Sequence, residues 1–541
     1  MPTHAMLLPN GKVFYMLSYG AGGHPYLWDA TQGLSAQPTS ITQPPYNTFC
    51  AGHSALANGN LLITGGHVCD YVGENRASIF SWSDNSWQQL PNMNDRRWYP
   101  TNTTLANGDV LVVSGTTVDN KTFDKIPQVF QAGTKTWRTL TSAVLQQSLY
   151  PYMYLAPSGK VFNAGPNPDT RLLSTSGTGA WTFVGTTLYG KHRDYGSSVM
   201  YRPGKILIMG GGGDWHTGAD PQPTNTAEMI DLNSATPAWH WAAPMNFRRR
   251  QMNATLLPDG TVLATGGTSS GGPNAFDDGT LAVHAAELWN PDTNTWRILA
   301  SNTVYRGYHS FAILLPDATV LSAGGQVAGC TAEIFSPPYL FKGTRPTIST
   351  LSFSSVNYGE TKFIPTPDVS SISKVTWLRL GSVTHAFNQD QRFVQLAFTK
   401  ATGGLNVVFP STGNISPPGY YMLFILNSNG VPSRAKILRI QAPSNITCPA
   451  ATSDPQVVIC TPKDGATGLT SPVRVVAKAY SSKAVSVTQI YLDGVKAAEV
   501  SGNSIDKSLG MGAGTHRITV KGWLSDGSGS FSKTIYVTVG G

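Results

Sequence analysis

The sequence predicts an all-β protein: a seven-bladed propeller of repeated four-stranded sheets, followed by two β-sandwich domains. Three observations carry this reading. A hairpin phrase (apolar strand, a turn mostly of Asn, Asp or Ser with Gly, apolar strand, Gly) recurs seven times at intervals of 45 to 58 residues. Most copies continue into a third strand and then a fourth that carries a Trp. Gly (56) and Pro (36) are plentiful, while charged residues make up 13% of the 541 positions, about half the usual share.

The copies begin at "MLLPNGKVFYM", "SALANGNLLITGG", "TTLANGDVLVVSG", "MYLAPSGKVFNAG", "VMYRPGKILIMGGGG", "ATLLPDGTVLATGG" and "AILLPDATVLSAGG". Their turn positions are Gly11, Gly59, Gly108, Gly159, Gly204, Gly260 and Ala318. Third and fourth strands are legible in "SIFSWSDNSWQQL", "QVFQAGTKTWRTL", "AEMIDLNSATPAWHW" and "AELWNPDTNTWRIL". A period near 50 with four strands per unit is a kelch-type blade, and seven such blades close a ring. The seventh copy ends at "AEIFSPPYL" without a Trp-bearing fourth strand. The first copy opens directly on its own first strand, so the closing strand is expected to be missing or to come from upstream of Met1. In this architecture the first strand of each blade lines the axis, and residues just before those strands meet in space.

The propeller is expected over residues 1–343. "RPTISTLSFSSVNYGETKFIPTP" then opens an immunoglobulin-like domain over 344–441. "APSNITCPAATSDP" supplies a linker over 442–454. Short strands and turns such as "YLDGV" make 455–541 a second immunoglobulin-like domain.

The net charge is +8, with Lys and Arg scattered except at Arg248-Arg249-Arg250, so no nucleic-acid partner is expected. No apolar run approaches the roughly 18 residues that span a bilayer. No signal peptide is visible at "MPTHAMLLPNGKVF". Low charge and abundant Asn, Ser and Thr nonetheless suit a secreted, extracellular protein, expected as a monomer. Five Cys leave one unpaired: Cys50, Cys69, Cys330, Cys448 and Cys460. Cys448 and Cys460 flank the linker and read as a disulfide. Cys69 with Cys330 is the weaker pair, because a blade lies between their loops.

The blade heads carry unusual residues. The second has "FCAGHS", with Cys50 and His53; the third has "RRWYPT", with Trp98 and Tyr99; the seventh has Tyr308 and His309. "GSVTHAFNQDQR" puts His385 on a turn between two strands of the following domain. Two imidazoles and two phenols make a ligand set suited to Cu(II), which favours tetragonal nitrogen and oxygen coordination.

With these four motifs in this order, residues from about 1 to 441 resemble the copper radical oxidases, which include galactose oxidase and glyoxal oxidase. The resemblance implies one copper ion and a cofactor made from the protein itself, Cys50 joined through sulfur to the Tyr99 ring. Tyr99, His309 and His385 would be equatorial ligands and Tyr308 axial. It also implies oxidation of an alcohol or aldehyde hydrate by O2, with hydrogen peroxide as product. The residue types fit: copper exchanges one electron, a phenolate can give the second, and Tyr308 can take the substrate proton. Singly, each residue has a structural reading. Cys50 would be a small buried hydrophobe, Tyr99 and Tyr308 packing residues, and the histidines hydrogen-bonded core groups. Their joint occurrence in family order reverses that. His53 and His67 match no ligand motif and read as structural.

The resemblance thins around the substrate. The loop after Tyr99, "SGTTVDNKTFDK", lacks the Trp that covers the modified Tyr in galactose oxidase, and "SLYPYMYL" offers no equivalent of its sugar-binding arginine. Trp215 in "GGGGDWHTG" is the substitute that some glyoxal oxidase-like members imply. "RRWYP" also looks like the glyoxal oxidase branch. Small aldehydes or small primary alcohols are therefore the expected substrates. The other reading is a non-enzymatic kelch propeller that binds a glycan or protein outside the cell. Contact with a cell surface or polysaccharide through the C-terminal domain stays open, with no aromatic platform legible there.

Overall fold

The structure is a computed structural model. It describes residues 1–541 except 19–21, 214–221, 272–278, 442–445, 447, 470, 472 and 541. Two compact units are present: Met1–Val356 with Lys362–Val408 and Thr412–Ala442, and a smaller one made mostly of Pro443–Gly541. Among the described residues regular structure is strand, with four short 3-10 turns. None of it is a helix long and apolar enough to cross a membrane.

Seven antiparallel sheets follow one another along residues 2–40, 52–89, 101–139, 153–186, 197–242, 253–301 and 310–335. Each of the first six holds four strands from its own stretch of chain, and the seventh holds three. The repeated turn makes each hairpin. Gly59 sits at φ 86, in the left-handed region where a Cβ is costly, and Ala318 takes the same conformation at φ 67. The fourth-strand Trp residues latch neighbouring sheets. The indole Nε1 of Trp87 donates to the Thr42 carbonyl (2.6 Å), that of Trp137 to Pro91 (2.8 Å) and that of Trp296 to Ala243 (2.8 Å).

A second repeat was hidden in the sequence. Arg97, Arg193, Arg249 and Arg306 are buried, and each pairs with an acid on or near the third strand of its sheet: Asp124, Glu228, Glu287 and Glu333. Each also donates from Nη1, at 2.9 Å, to a carbonyl at or just past the end of the second strand: Ser114, Gly210, Gly266 and Gly324. Burial of charge is tolerated because every arginine is both paired and hydrogen-bonded. Arg250 pairs with Asp194 at 3.1 Å. The run Arg248-Arg249-Arg250 is thus not a basic patch, since two of its three side chains are buried in ion pairs.

The first strands pack side by side. Pro2–Leu7 touches Ser310–Leu314, which touches Asn253–Leu256, which touches Ser197–Arg202; Gly52–Ala55 touches Thr101–Thr104, which touches Met153–Leu155. Among them stands a hairpin from the following domain, Ser382–Thr384 with Phe387–Asn388. It extends the first sheet, with His4 opposite Thr384 and Met6 opposite Ser382. The rest of "FNQDQR" satisfies first-strand backbone. Gln389 Oε1 accepts from the His53 and Asn102 amides, Asp390 from the Ala55 amide, and Gln391 from the Leu256 amide; Arg392 donates to the Leu155 carbonyl. A buried strand edge needs such partners. The hairpin belongs to a domain whose central strands are Gly419–Asn427, Ile372–Arg379 and Phe393–Ala401, with Trp377 stacked on Tyr421.

In the smaller unit, a three-stranded and a four-stranded sheet enclose Val475, Ala477, Ile490, Val520, Ile535 and Val537. Cys448 and Cys460 are disulfide-bonded, with Cα atoms 5.2 Å apart. Cys69 and Cys330 are free and exposed, so the weaker pairing is not made. Trp523 and Tyr536 are exposed on the four-stranded sheet. Trp523 Nε1 donates to Gln489 Oε1 at 2.7 Å, an aromatic feature that strand pattern alone did not disclose.

Candidate metal centre

Six consecutive sheets start in the same unusual way. The residue nine positions before each turn residue is in the left-handed region: Cys50 (φ 64), Tyr99 (66), Tyr150 (42), Tyr195 (48), Gln251 (60) and His309 (66). None is Gly, so each conformation is strained and persists only because its surroundings fix it. Backbone bonds link neighbouring heads: Tyr99 N–H to the Cys50 carbonyl (3.0 Å), Tyr150 to Tyr99 (2.9 Å), Gln251 to Tyr195 (2.6 Å). The Cys50, Tyr99 and Tyr150 side chains meet in one cluster, with the two phenol rings 4.6 Å apart. His385 (φ 46) joins them from the tight turn of the inserted hairpin.

The structure brings five of the six expected site residues together. The Tyr99 and Tyr308 hydroxyl oxygens lie 2.5 Å apart. The His385 ring is 4.5 Å from the Tyr99 ring and 4.8 Å from the His309 ring, and Tyr308 stacks on His309 at 3.7 Å. Tyr99, His309 and His385 are buried, and Tyr308 is half-buried. Cys50 is a free, buried thiol in one apolar cluster with Phe49, Trp98, Tyr99 and Tyr150. Burial pushes its thiol well up, against a partly opposing hydrogen bond with Tyr99.

Both ring nitrogens of His309 and Nε2 of His385 are buried without a hydrogen-bond partner. Such orphaned groups are costly unless something else binds them. Thr384 Oγ1 donates to the Thr3 carbonyl (3.3 Å), so it accepts from His385 Nδ1–H (2.6 Å). His385 Nε2 is then left with a free lone pair, as a metal ligand requires. Burial holds both imidazoles neutral, with His309 lowered to about 3 and His385 well below the usual imidazole range. Burial likewise pushes the Tyr99 and Tyr308 phenols up. A cation at this point would reverse that by stabilising phenolate. Two neutral imidazole nitrogens and two adjacent phenol oxygens thus fit Cu(II). Among the described residues no group of three or more His, Cys, Asp or Glu could hold a metal, so a metal here depends on the phenols.

Other side chains support the set. The Trp98 indole stacks on the Tyr99 ring, centroids 3.7 Å apart and planes at 12°. Trp98 Nε1 donates to His67 Nδ1 at 3.1 Å. The Tyr195 hydroxyl donates to the Tyr308 hydroxyl at 3.3 Å. Tyr150 stacks on His385 at 4.8 Å and donates to the Ala51 carbonyl at 3.0 Å. Trp215, the expected cover for Tyr99, lies outside the described residues. Sequence reasoning gave no role to Trp98, which stacks on Tyr99, and missed Tyr150 and Tyr195. The constant nine-residue offset from the turn would have marked the two tyrosines.

A family model described as glyoxal oxidase N-terminus matches residues 24–332, and one described as galactose oxidase-like, Early set domain, matches 345–440. Galactose oxidase from Gibberella zeae is 33% identical over 484 residues, covering 81% of this chain and 69% of that protein. Aldehyde oxidase GLOX from Vitis pseudoreticulata is 29% identical, covering 73% of this chain and 82% of its own. Among solved structures, a fungal alcohol oxidase of the AA5 family, in complex with copper, superposes with a TM-score of 0.73 at 26% identity. It covers 81% of this chain and 97% of that one. Fold and site together define a copper-dependent oxidase. The chain belongs to the copper radical oxidase family, alongside galactose oxidase and glyoxal oxidase.

Proposed function

We propose that this protein oxidises small aldehydes, as their hydrates, or small primary alcohols with O2, releasing hydrogen peroxide. The observation that carries this is the meeting of orphaned His309 and His385 nitrogens with the paired Tyr99 and Tyr308 oxygens, beside a buried Cys50 thiol. Copper held by Tyr99, Tyr308, His309 and His385 would supply a one-electron couple and a Lewis-acidic point. Tyr99, joined by a thioether to Cys50, gives the second oxidising equivalent and takes the substrate C–H hydrogen. Tyr308 accepts the substrate hydroxyl proton, and its hydrogen bond with Tyr195 keeps that oxygen in place. Trp98 covers one face of Tyr99 and keeps water from it.

In this reading the seven sheets are the blades of a kelch-type propeller over 1–343. Residues 344–441 are an immunoglobulin-like domain that delivers His385, 442–454 a linker and 455–541 a second immunoglobulin-like domain. The bonded Cys448 and Cys460 support a secreted, extracellular protein. One experiment tests the whole: purified protein loaded with copper in air should hold one copper per chain, lose two hydrogens in mass, and make peroxide from methylglyoxal. Protein that takes up no copper and makes no peroxide would instead be a binding propeller.

A further inference from the structure

A closed line of hydrogen bonds runs from Cys50 to the hairpin that carries His385. The Cys50 amide donates to His4 Nε2 at 3.0 Å. His4 must therefore carry its proton on Nδ1, which donates to His53 Nε2 at 3.0 Å. His53 in turn carries its proton on Nδ1 and donates to Ser382 Oγ at 2.5 Å. The Ser382 hydroxyl finishes the line by donating to the His53 carbonyl at 3.1 Å. All four residues are buried. A neutral imidazole has one donor and one acceptor, and here both rings use each once. Burial pushes both imidazoles down, so they stay neutral at ordinary pH.

The line ends on a strained residue. Cys50 stands at φ 64, held on one side by its amide on His4 and on the other by its carbonyl, which accepts from the Tyr99 amide at 3.0 Å. The far end lies in Ser382–Thr384, the strand that pairs with Pro2–Leu7 and leads directly into His385. Gln389 of the same hairpin also holds the His53 amide, at 3.3 Å. The backbone placing the sulfur and the hairpin delivering a metal ligand thus share one network.

We infer that His4, backed by His53 and Ser382, is a positioning residue that aims the Cys50 sulfur at the Tyr99 ring, so that the thioether forms only once the hairpin has docked. The inference rests on the proposed cofactor. In that step a bond forms between Cys50 Sγ and the Tyr99 ring carbon ortho to the hydroxyl, while the S–H and C–H bonds break. Two electrons and two protons leave the protein, and one O2 takes them up as H2O2.

Linkage is followed by intact mass and by digestion after copper is added in air, with copper content and circular dichroism measured on the same samples. His4→Phe should fold and bind copper as the native chain does, yet link at least tenfold more slowly. His4→Gln, whose amide can both accept and donate, should recover to within about threefold of native. Linkage of His4→Phe at the native rate overturns the inference. A native chain that binds copper but never links sinks the proposed cofactor first, and this inference with it. Should His4→Phe not fold, two measurements decide. Ser382→Ala, which strips the last acceptor, should slow linkage several-fold, and an unchanged rate overturns the inference. Nitrogen NMR of the copper-free native protein should find the proton on Nδ1 in both His4 and His53; a proton on Nε2 of either ring also overturns it.

Discussion

The Trp98 indole lies flat on the Tyr99 ring, 3.7 Å away and tilted by only 12°. The two residues are adjacent in sequence, and ordinary extended backbone would send their side chains to opposite faces. The left-handed turn at Tyr99 (φ 66) folds them together, and His67 fixes the indole through its N–H. An electron-rich plane at stacking distance spreads spin and excludes water from a phenoxyl. Trp98→Phe should therefore keep copper and the thioether but shorten the lifetime of the oxidised cofactor several-fold. Decay of its optical absorption in the absence of substrate is the measurement. An unchanged lifetime would assign the protection elsewhere.

His309→Ala and His385→Ala should each lose most copper at equimolar metal, because each removes one nitrogen of a two-nitrogen set. Neither should unfold the protein, since no hydrogen bond depends on the His309 ring nitrogens or on His385 Nε2. Tyr308→Phe should keep copper and lose turnover by at least a hundredfold, the scale of a missing general base. Metal analysis beside peroxide assays separates the two effects. Equal copper loss in all three variants would contradict the division of labour.

Much of this was legible because it repeats. The hairpin phrase marks every sheet, and the position just ahead of it supplied Cys50, Tyr99 and His309. His385 was legible only through its motif, because nothing local says that its turn inserts among the first strands. Long-range pairing of this kind, such as His4 opposite Thr384, leaves no trace in periodicity. The buried arginines were hidden for another reason. Their partners Asp124, Glu228, Glu287 and Glu333 lie 27 to 38 residues away, and a charged residue at a strand end reads as solvated.

Those arginines carry a stability prediction. Arg249 and Glu287 are both fully buried, 2.5 Å apart, and Arg249 also serves the Gly266 and Ala285 carbonyls. Glu287→Ala leaves a buried cation without its partner and should cost about 3–5 kcal/mol. The denaturation midpoint of Glu287→Ala should drop well below that of an exposed control such as Glu499→Ala, whose salt bridge to Lys496 is solvated. Equal midpoints would show that the repeat is decorative.

The buried imidazoles set a pH dependence in the copper-free protein. His53 and His309 are each lowered to about 3 by burial, whereas an unfolded imidazole titrates near 6.5. Between those values the unfolded chain binds protons that the native chain does not. Stability is therefore complete above about pH 6.5 and falls as pH drops toward 3, by about 1.4 kcal/mol per pH unit for each such imidazole. Urea midpoints should fall measurably between pH 7.5 and 5.5, a range above most carboxylate titration. Midpoints that hold constant across it would mean these rings accept protons in place.

Substrate choice follows from what the site leaves free. A hexose needs several directional hydrogen bonds to orient it, and a charged fork such as arginine is the usual clamp. The buried arginines Arg97, Arg193, Arg249 and Arg306 near the heads of the first strands are committed to acids and carbonyls, and Arg250 to Asp194. Aromatic rings pack against both phenols: Trp98 and His385 against Tyr99, Tyr195 and His309 against Tyr308. A small aldehyde hydrate asks only for one oxygen at the metal position and one C–H toward Tyr99. On this reading kcat/KM for glyoxal or methylglyoxal should exceed that for galactose by at least tenfold, or about 1.4 kcal/mol in transition-state binding. Peroxide release measured across a panel of small aldehydes, small alcohols and hexoses decides it. Faster turnover of galactose than of every small aldehyde would overturn the substrate assignment, and would leave the copper centre and its phenol ligands as they stand.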